Sequence, residues 1–349
     1  MEQLKKDTDS IRLDINALQS KVRLSDLRDG VEDLQTDIAN LANQIRELRA
    51  RGYPFEKGLE SRASELARQW AALQPSMLAQ IEQQAIILEQ ALRPLEDQFK
   101  RLVALSALPS EAQPLVAQLK ASISSLESKV SAVQSQIRGM YDGLERQVGE
   151  LRTHLRRLDW MLKQLAEATF QLLPTEAGIR AVKAAWVKGE KRAKDDPSGI
   201  LYLTDQRLLF EQKQEVASKK MLFITTAKEK VQKLLFEVPL ALVESVKASK
   251  KGLLGHEDHI ELAFAPDAPV RSAHFHLDGQ DCNEWQGLMG RAKAREFDQD
   301  RAIELDQAVV ERVRSAPTSC PHCGAAITVQ VLRGMDSIRC EYCGKVIRL

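Results

Sequence analysis

Four cysteines near the C-terminus, Cys320, Cys323, Cys340 and Cys343, stand as two Cys-x-x-Cys pairs separated by sixteen residues. Two residues between cysteines let a tight turn aim both sulfurs at one ion. The glycines that follow, Gly324 and Gly344, suit the positive-φ backbone of such a turn. Two of these knuckles make a tetrahedral four-thiolate site, the spacing of a structural zinc, so one zinc ion is expected as the cofactor. Four protein ligands leave the metal no open position for catalysis. His322, between two of them, is expected to be exposed rather than coordinating.

No other constellation reads as catalytic. The sequence holds no phosphate-binding glycine loop, no nucleophile motif and no paired catalytic carboxylates. Neither an enzyme nor a small-molecule substrate is therefore expected. His256, His259, His274 and His276 gather in one stretch, and the last two alternate along a strand and share a face. A second metal site is conceivable there, but no carboxylate or cysteine completes a convincing set, and surface or turn histidines are the preferred reading. Cys282 is expected to be a structural thiol on a helix.

Charge sets further bounds. The chain of 349 residues carries a net charge of +1, so no global field favours nucleic acid or membrane. Segment 317–349 has four basic and two acidic residues. A zinc with four thiolates brings a charge of about −2, which leaves the module near neutral and nucleic acid disfavoured. A nucleic-acid-associated factor using this module is the alternative reading. Between 176 and 251, sixteen Lys and Arg stand against ten Asp and Glu, and between 252 and 297 the balance reverses to four against eight. Lys188, Lys191, Arg192 and Lys194 form a basic loop suited to an anionic surface, diminished by Asp195 and Asp196. Lys219, Lys220, Lys228 and Lys230 form a second basic patch. No apolar run approaches the ~18–20 residues of a membrane span, and the N-terminus reads as charged and amphipathic rather than secretory. Cysteines paired for metal indicate a reducing, cytoplasmic compartment.

The elements that position these groups form a multidomain α + β chain. Residues 1–172 read as a long antiparallel helical bundle or coiled coil, with helices about 3–50, 57–106 and 111–172. Leu24, Leu27, Val31, Leu34, Ile38, Leu41, Ile45 and Leu48 keep an unbroken 3-4 alternation. Upstream the seam weakens at Ala17 and Ser20. The second stripe shifts by one four-residue step near Ala85, and Pro75 and Pro94 predict kinks or a break. Trp70 is expected to be core, and Ser110 is the expected cap of the third helix. This stalk spaces the other domains or self-associates. From 176 the pattern turns to short β-type runs, with candidate strands at 179–187, 199–204, 207–211, 221–226, 234–238, 243–248, 260–265 and 270–277. A helix follows over 279–298, and 299–314 reads as a charged helix within the linker 298–316.

The string Gly199-Ile-Leu-Tyr-Leu-Thr-Asp-Gln-Arg-Leu-Leu-Phe210 resembles the GRAM domain, a relative of the pleckstrin-homology (PH) fold. Val238-Pro-Leu-Ala-Leu-Val-Glu-Ser-Val246 is similar to that family's later segment. The resemblance covers about 176–297. It implies a PH-like β-barrel with a C-terminal helix carrying Trp285, and a module that binds a protein or an anionic membrane lipid without catalysis. Segment 317–349 resembles the zinc-ribbon family at both knuckles; its strands are expected at 326–332 and 345–349. The combined expectation is a cytoplasmic scaffold or adaptor, peripheral at the membrane where lipid is the partner.

Overall fold

A computed structural model of the chain describes residues 2–105, 109–189, 193, 195–221, 224–252 and 255–349. The chain divides into two compact units, residues 1–43 with 60–153, and residues 44–59 with 154–349.

The first unit is helical. Its elements are α1 (Glu2–Lys21), most of α2 (Ser25–Ala50), α3 (Leu59–Ala104), α4 (Pro109–Gly139) and the start of α5 (Asp142–Ala166). The helix expected over 3–50 is divided at Val22–Leu24, and the seam explains why. Leu4, Thr8, Ile11, Ile15, Leu18 and Val22 are buried in one 4-3 alternation, and Leu24 starts another. The two-residue step between them would rotate a continuous helix by roughly 200°. A turn with Leu24 at φ 52° brings both seams inward. Cross-helix pairs show an up-down-up order. Gln19 reaches Glu96 and Trp70 donates to Gln35, antiparallel, while Lys120 pairs with Asp7 and Lys21 with Glu127, parallel. Pro75 and Pro94 do not break α3. Both lie on its exposed side, where water can reach the carbonyls they orphan. The expected third helix is two, parted after Gly139, and Ser110 lies inside α4 rather than capping it.

The second unit is built on a seven-stranded antiparallel sheet: β1 (Gly178–Trp186), β2 (Ser198–Thr204), β3 (Arg207–Met221), β4 (Ile224–Pro239), β5 (Val243–Lys251), β6 (Glu257–Phe264) and β7 (Ser272–Leu277). The strand order is β4-β3-β2-β1-β7-β6-β5. This meander, followed by α6 (Cys282–Lys293) packed on β5 and β6, is the PH-like arrangement. The sheet is open rather than a closed barrel, since β4 and β5 are its two edges. Its core is aromatic: Phe210 and Phe236 meet Trp186 edge-on and Phe275 packs against it at a tilt. Three of the expected short strands merge into the long β3–β4 hairpin. Its polar middle lacks apolar alternation but pairs across the ladder, as Glu215 does with Lys230.

The helix expected over 279–298 stops at Lys293. Asp281 caps it by accepting from the N–H groups of Asn283 and Glu284, and a short α7 (Glu296–Gln299) follows a left-handed Arg295. In the linker, helix α8 covers Gln307–Arg314 alone, capped by Asp306. The terminal module pairs β8 (Ser337–Arg339) with β9 (Val346–Arg348). The strand expected over 326–332 is absent, Ala326 making a single bridge to Ser319. Its apolar residues serve differently: Ile327, Val329 and Val331 pack against Ile338 and Ile347.

Candidate functional site

The two cysteine knuckles are built alike. In each, the glycine N–H returns to the first cysteine's carbonyl, Gly324 to Cys320 at 2.8 Å and Gly344 to Cys340 at 2.9 Å. The first cysteine's N–H in turn donates two residues beyond the second cysteine, to Ala325 and Lys345. Gly324 and Gly344 take φ 74° and 70°, the left-handed backbone that closes these turns. All four sulfurs lie within 4.8 Å of one another. Cys320 to Cys343 and Cys323 to Cys340 both measure 3.7 Å, far beyond a disulfide bond. A tetrahedral zinc with sulfur ligands at ~2.3 Å would have sulfurs ~3.8 Å apart, so the donor set and its spacing fit a metal. Crowded thiols share protons unevenly. Burial opposes ionisation of Cys320, yet the N–H groups of His322 and Cys323 and the neighbouring thiols draw it down to about 7. Cys323 accepts from the Ala325 N–H, but burial and the three other thiols push it up to about 12.

The four-cysteine module is fastened to the sheet at the β2–β3 turn. Asp205, almost wholly buried, accepts from the Ala177 N–H at 2.9 Å, from Arg301 at 2.6 Å and from Arg333. Arg333 also reaches Asp298 at 2.8 Å. Gln206 closes the contact with its amide, donating to the Arg333 carbonyl at 3.1 Å and accepting from the Arg333 N–H at 2.6 Å. The neighbouring residues of the GRAM-like string lock the turn itself. Thr204 donates to Glu176 at 2.6 Å and accepts from the Arg207 N–H at 2.7 Å, and Arg207 forks onto buried Glu176. A side chain at Gly199 would collide with the Glu211 carbonyl, which explains the glycine. The recognisable string therefore holds this turn together, and sequence spacing had no way to join it to Arg333.

The candidate binding surface is a cleft of about 610 Å³ where the end of β1 faces β5–β7. Trp186, Lys188, Lys247, Glu261 and His274 are among the residues that line it. Lys188 folds its ammonium over the Trp186 ring, 2.8 Å from the centroid. Desolvation there lowers its pKa, and Asp196 acts the other way. Asp196 is buried and accepts from the Lys188 and Ala193 N–H groups at 3.1 and 2.7 Å, shaping the β1–β2 loop. Of the basic loop, Lys191, Arg192 and Lys194 lie outside the described residues. Of the second basic patch, Lys219 and Lys220 fall on β3 and Lys228 and Lys230 on β4; Lys230 is exposed.

No family model matches the chain. No curated protein matches it either. Among solved structures it is similar to the Vps36 N-terminal PH domain, with 17% identity over 36% of this chain and 84% of that one and a TM-score of 0.25. It is also similar to the PDZ-RhoGEF DH/PH domains in complex with GTP-γ-S-activated RhoA, with 15% identity, 84% and 96% coverage and a TM-score of 0.23. The p115-RhoGEF DH/PH domains give 12% identity, 88% and 100% coverage and a TM-score of 0.20. At such scores the PH-like assignment rests on the strand order and the helix that follows the last strand. Among the described residues, no helix is long and apolar enough to cross a membrane.

The structure brings three of the four singled-out histidines together. His259 sits between His274 and His276, with ring centroids 5.0 Å apart in both cases. They are not turn histidines: they lie on β6 and β7, and His259 is buried while His256 stays exposed. Glu257 supplies the carboxylate that sequence reading did not credit, its Oε2 3.3 Å from His259 Nε2. The signal was present, because Glu257 and His259 alternate as His274 and His276 do and so share a strand face. Desolvation lowers the pKa of His259 and of His274. Cys282 is buried at the start of α6, where desolvation raises its thiol pKa.

Proposed function

We propose that this chain is a non-enzymatic cytoplasmic adaptor whose PH-like domain docks on an anionic membrane surface. The zinc-loaded ribbon is read as part of its architecture and the helical unit as a spacer. The observation that carries this reading is the cleft that holds Lys188 and Lys247 beside the half-buried Trp186. It opens next to a β1–β2 loop whose sequence adds Lys191, Arg192 and Lys194. Each such cation near an anionic leaflet contributes on the order of 1 kcal/mol, so docking is weak and salt-sensitive. Classing the domain with GRAM modules is supported by Gly199, Thr204 and Arg207, each of which meets a demand of the β2–β3 hairpin.

Zinc is the metal that best suits the four-cysteine site, because four thiolates in a tetrahedron are a soft, closed donor set. Full-length protein should co-sediment with vesicles containing phosphatidylserine and not with phosphatidylcholine alone, and lose binding with Lys188→Glu plus Lys247→Glu. Absence of binding even at low salt would turn the reading to a protein-binding module. Self-association is a second reading, favoured by the exposure of Leu78, Ile86 and Ile87 on α3. A mass by light scattering that stays monomeric at all concentrations would remove it.

A further inference from the structure

The outer face of β6 and β7 carries a second group of metal donors, separate from the cysteines. One nitrogen each of His259 and His276 and one oxygen of Glu257 lie within 4.8 Å of one another. His259 and His276 are direct partners across the β6–β7 ladder, so the sheet itself holds the two rings together.

Hydrogen-bond logic assigns the lone pairs. Lys251 Nζ lies 3.5 Å from His274 Nε2, and an ammonium can only donate, so His274 Nε2 is an acceptor. The hydrogen at the 3.0 Å contact between His274 Nε2 and His259 Nδ1 therefore belongs to His259. A neutral His259 then presents its bare Nε2 to the Glu257 carboxylate at 3.3 Å. Two acceptors at that separation require a cation between them, either a proton or a metal. The spacing suits the metal: ligand atoms ~2.1 Å from a tetrahedral ion stand ~3.4 Å apart. His276 has a matching arrangement, with Nδ1 3.2 Å from Asp278 Oδ1.

We propose that Glu257, His259 and His276 form a second divalent transition-metal site, with His274 and Asp278 orienting the two imidazoles. Ligating histidines that give their second nitrogen to a carboxylate or another acceptor are a recurrent feature of such sites. Two imidazoles and one carboxylate select a borderline ion such as zinc and leave a coordination position for water. Ser249 pairs with His259 across the β5–β6 ladder. Its buried hydroxyl has no hydrogen-bond partner among the described residues, which suits a metal-bound water nearby. Glu261, which pairs with Lys251 at 2.6 Å, and Asp278 keep the local charge from turning positive. The nearby Asp258, Asp281 and Cys282 group differs, because the Lys250 ammonium already stands between its carboxylates at 2.5 and 2.9 Å.

The test is zinc stoichiometry on tag-free, full-length protein, dialysed against zinc and then against metal-free buffer. Wild type should hold two equivalents. Glu257→Gln and His276→Asn should each hold one, with unchanged thermal unfolding before zinc is added, and His256→Ala should still hold two. The double variant Cys320→Ser plus Cys343→Ser should lose the other equivalent and keep this one, so failure of the ribbon site and failure of this site are told apart. Cobalt gives a second readout: this equivalent should lack the sulfur-to-metal charge-transfer band shown by a thiolate site. A single equivalent in wild type that is lost with Cys320→Ser plus Cys343→Ser would overturn the proposal. So would a second equivalent that survives both Glu257→Gln and His276→Asn, or one lost equally with His256→Ala.

Discussion

Asp205 and Arg333, 128 positions apart in the chain, form a buried ion pair that ties the terminal four-cysteine module to the β2–β3 hairpin of the sheet. Asp205 is also the acceptor of Arg301, so one carboxylate gathers the linker and the ribbon. Removing it leaves two nearly buried guanidinium groups to share Asp298 as their remaining carboxylate. Asp205→Ala should therefore cost roughly 3–5 kcal/mol in denaturant unfolding. Arg333→Ala leaves Arg301 in place and should cost less, while exposing the 300–316 linker to trypsin. Equal stability of both variants and wild type would show that the pair carries no weight. The same contact argues against testing residues 176–297 alone, since that fragment lacks both arginines.

Thr204 offers a sharper probe of the GRAM-like string. Its hydroxyl donates to Glu176 and accepts from the N–H groups of Gln206 and Arg207. Thr204→Val keeps the shape and removes all three bonds, so a loss of about 1–3 kcal/mol is expected from the unsatisfied groups left behind. Vesicle or partner binding at low temperature should be unaffected. A variant that is stable but fails to bind would instead make Thr204 part of the binding surface.

What the sequence revealed follows the range of the forces involved. The 4-3 seam from Leu24 to Leu48 and the paired cysteines are local patterns, and each emerges as an element or a cluster. The long β3–β4 hairpin was hidden because its middle is polar in sequence and lacks apolar alternation, so that only the backbone ladder marks it as strand. The break before Leu24 was visible as a two-residue slip of the seam, yet its φ of 52° is a tertiary compromise. Long-range partners such as Gln206 with Arg333, or His259 with His276, depend on how strands and loops meet, which residue spacing does not encode.

Metal removal should act locally. The core of the terminal four-cysteine module is a handful of residues around Ile338 and Ile347, too small to stay folded once the proposed ion is removed. A strong chelator should abolish hydrogen-exchange protection in 317–349 while the strands β1–β7 keep theirs. Cys340→Ser should mimic the chelator, because Cys340 is buried and belongs to both a knuckle and the sulfur cluster. Protection of 317–349 that survives complete metal loss would mean that Arg333 and Gln206 suffice to hold the module.

Glu56 gives the second unit a specific acid sensitivity. Its carboxylate lies 2.7 Å from His154 Nε2 and accepts from the Tyr53 hydroxyl at 2.7 Å. Burial tends to raise its pKa, but His154, Tyr53 and Arg180 outweigh that and hold it below the usual glutamate value of 4.5. A carboxyl depressed in the folded state stabilises fully above its unfolded pKa. The unfolded chain takes up the proton first, so this stability drains away as pH falls from about 4.5 through the lower folded value. The unfolding midpoint of wild type should therefore fall more steeply than that of Glu56→Gln below pH 4.5. Parallel curves through the acid range would show that Glu56 titrates alike folded and unfolded, and that its contacts to His154 and Tyr53 do not favour the ionised form.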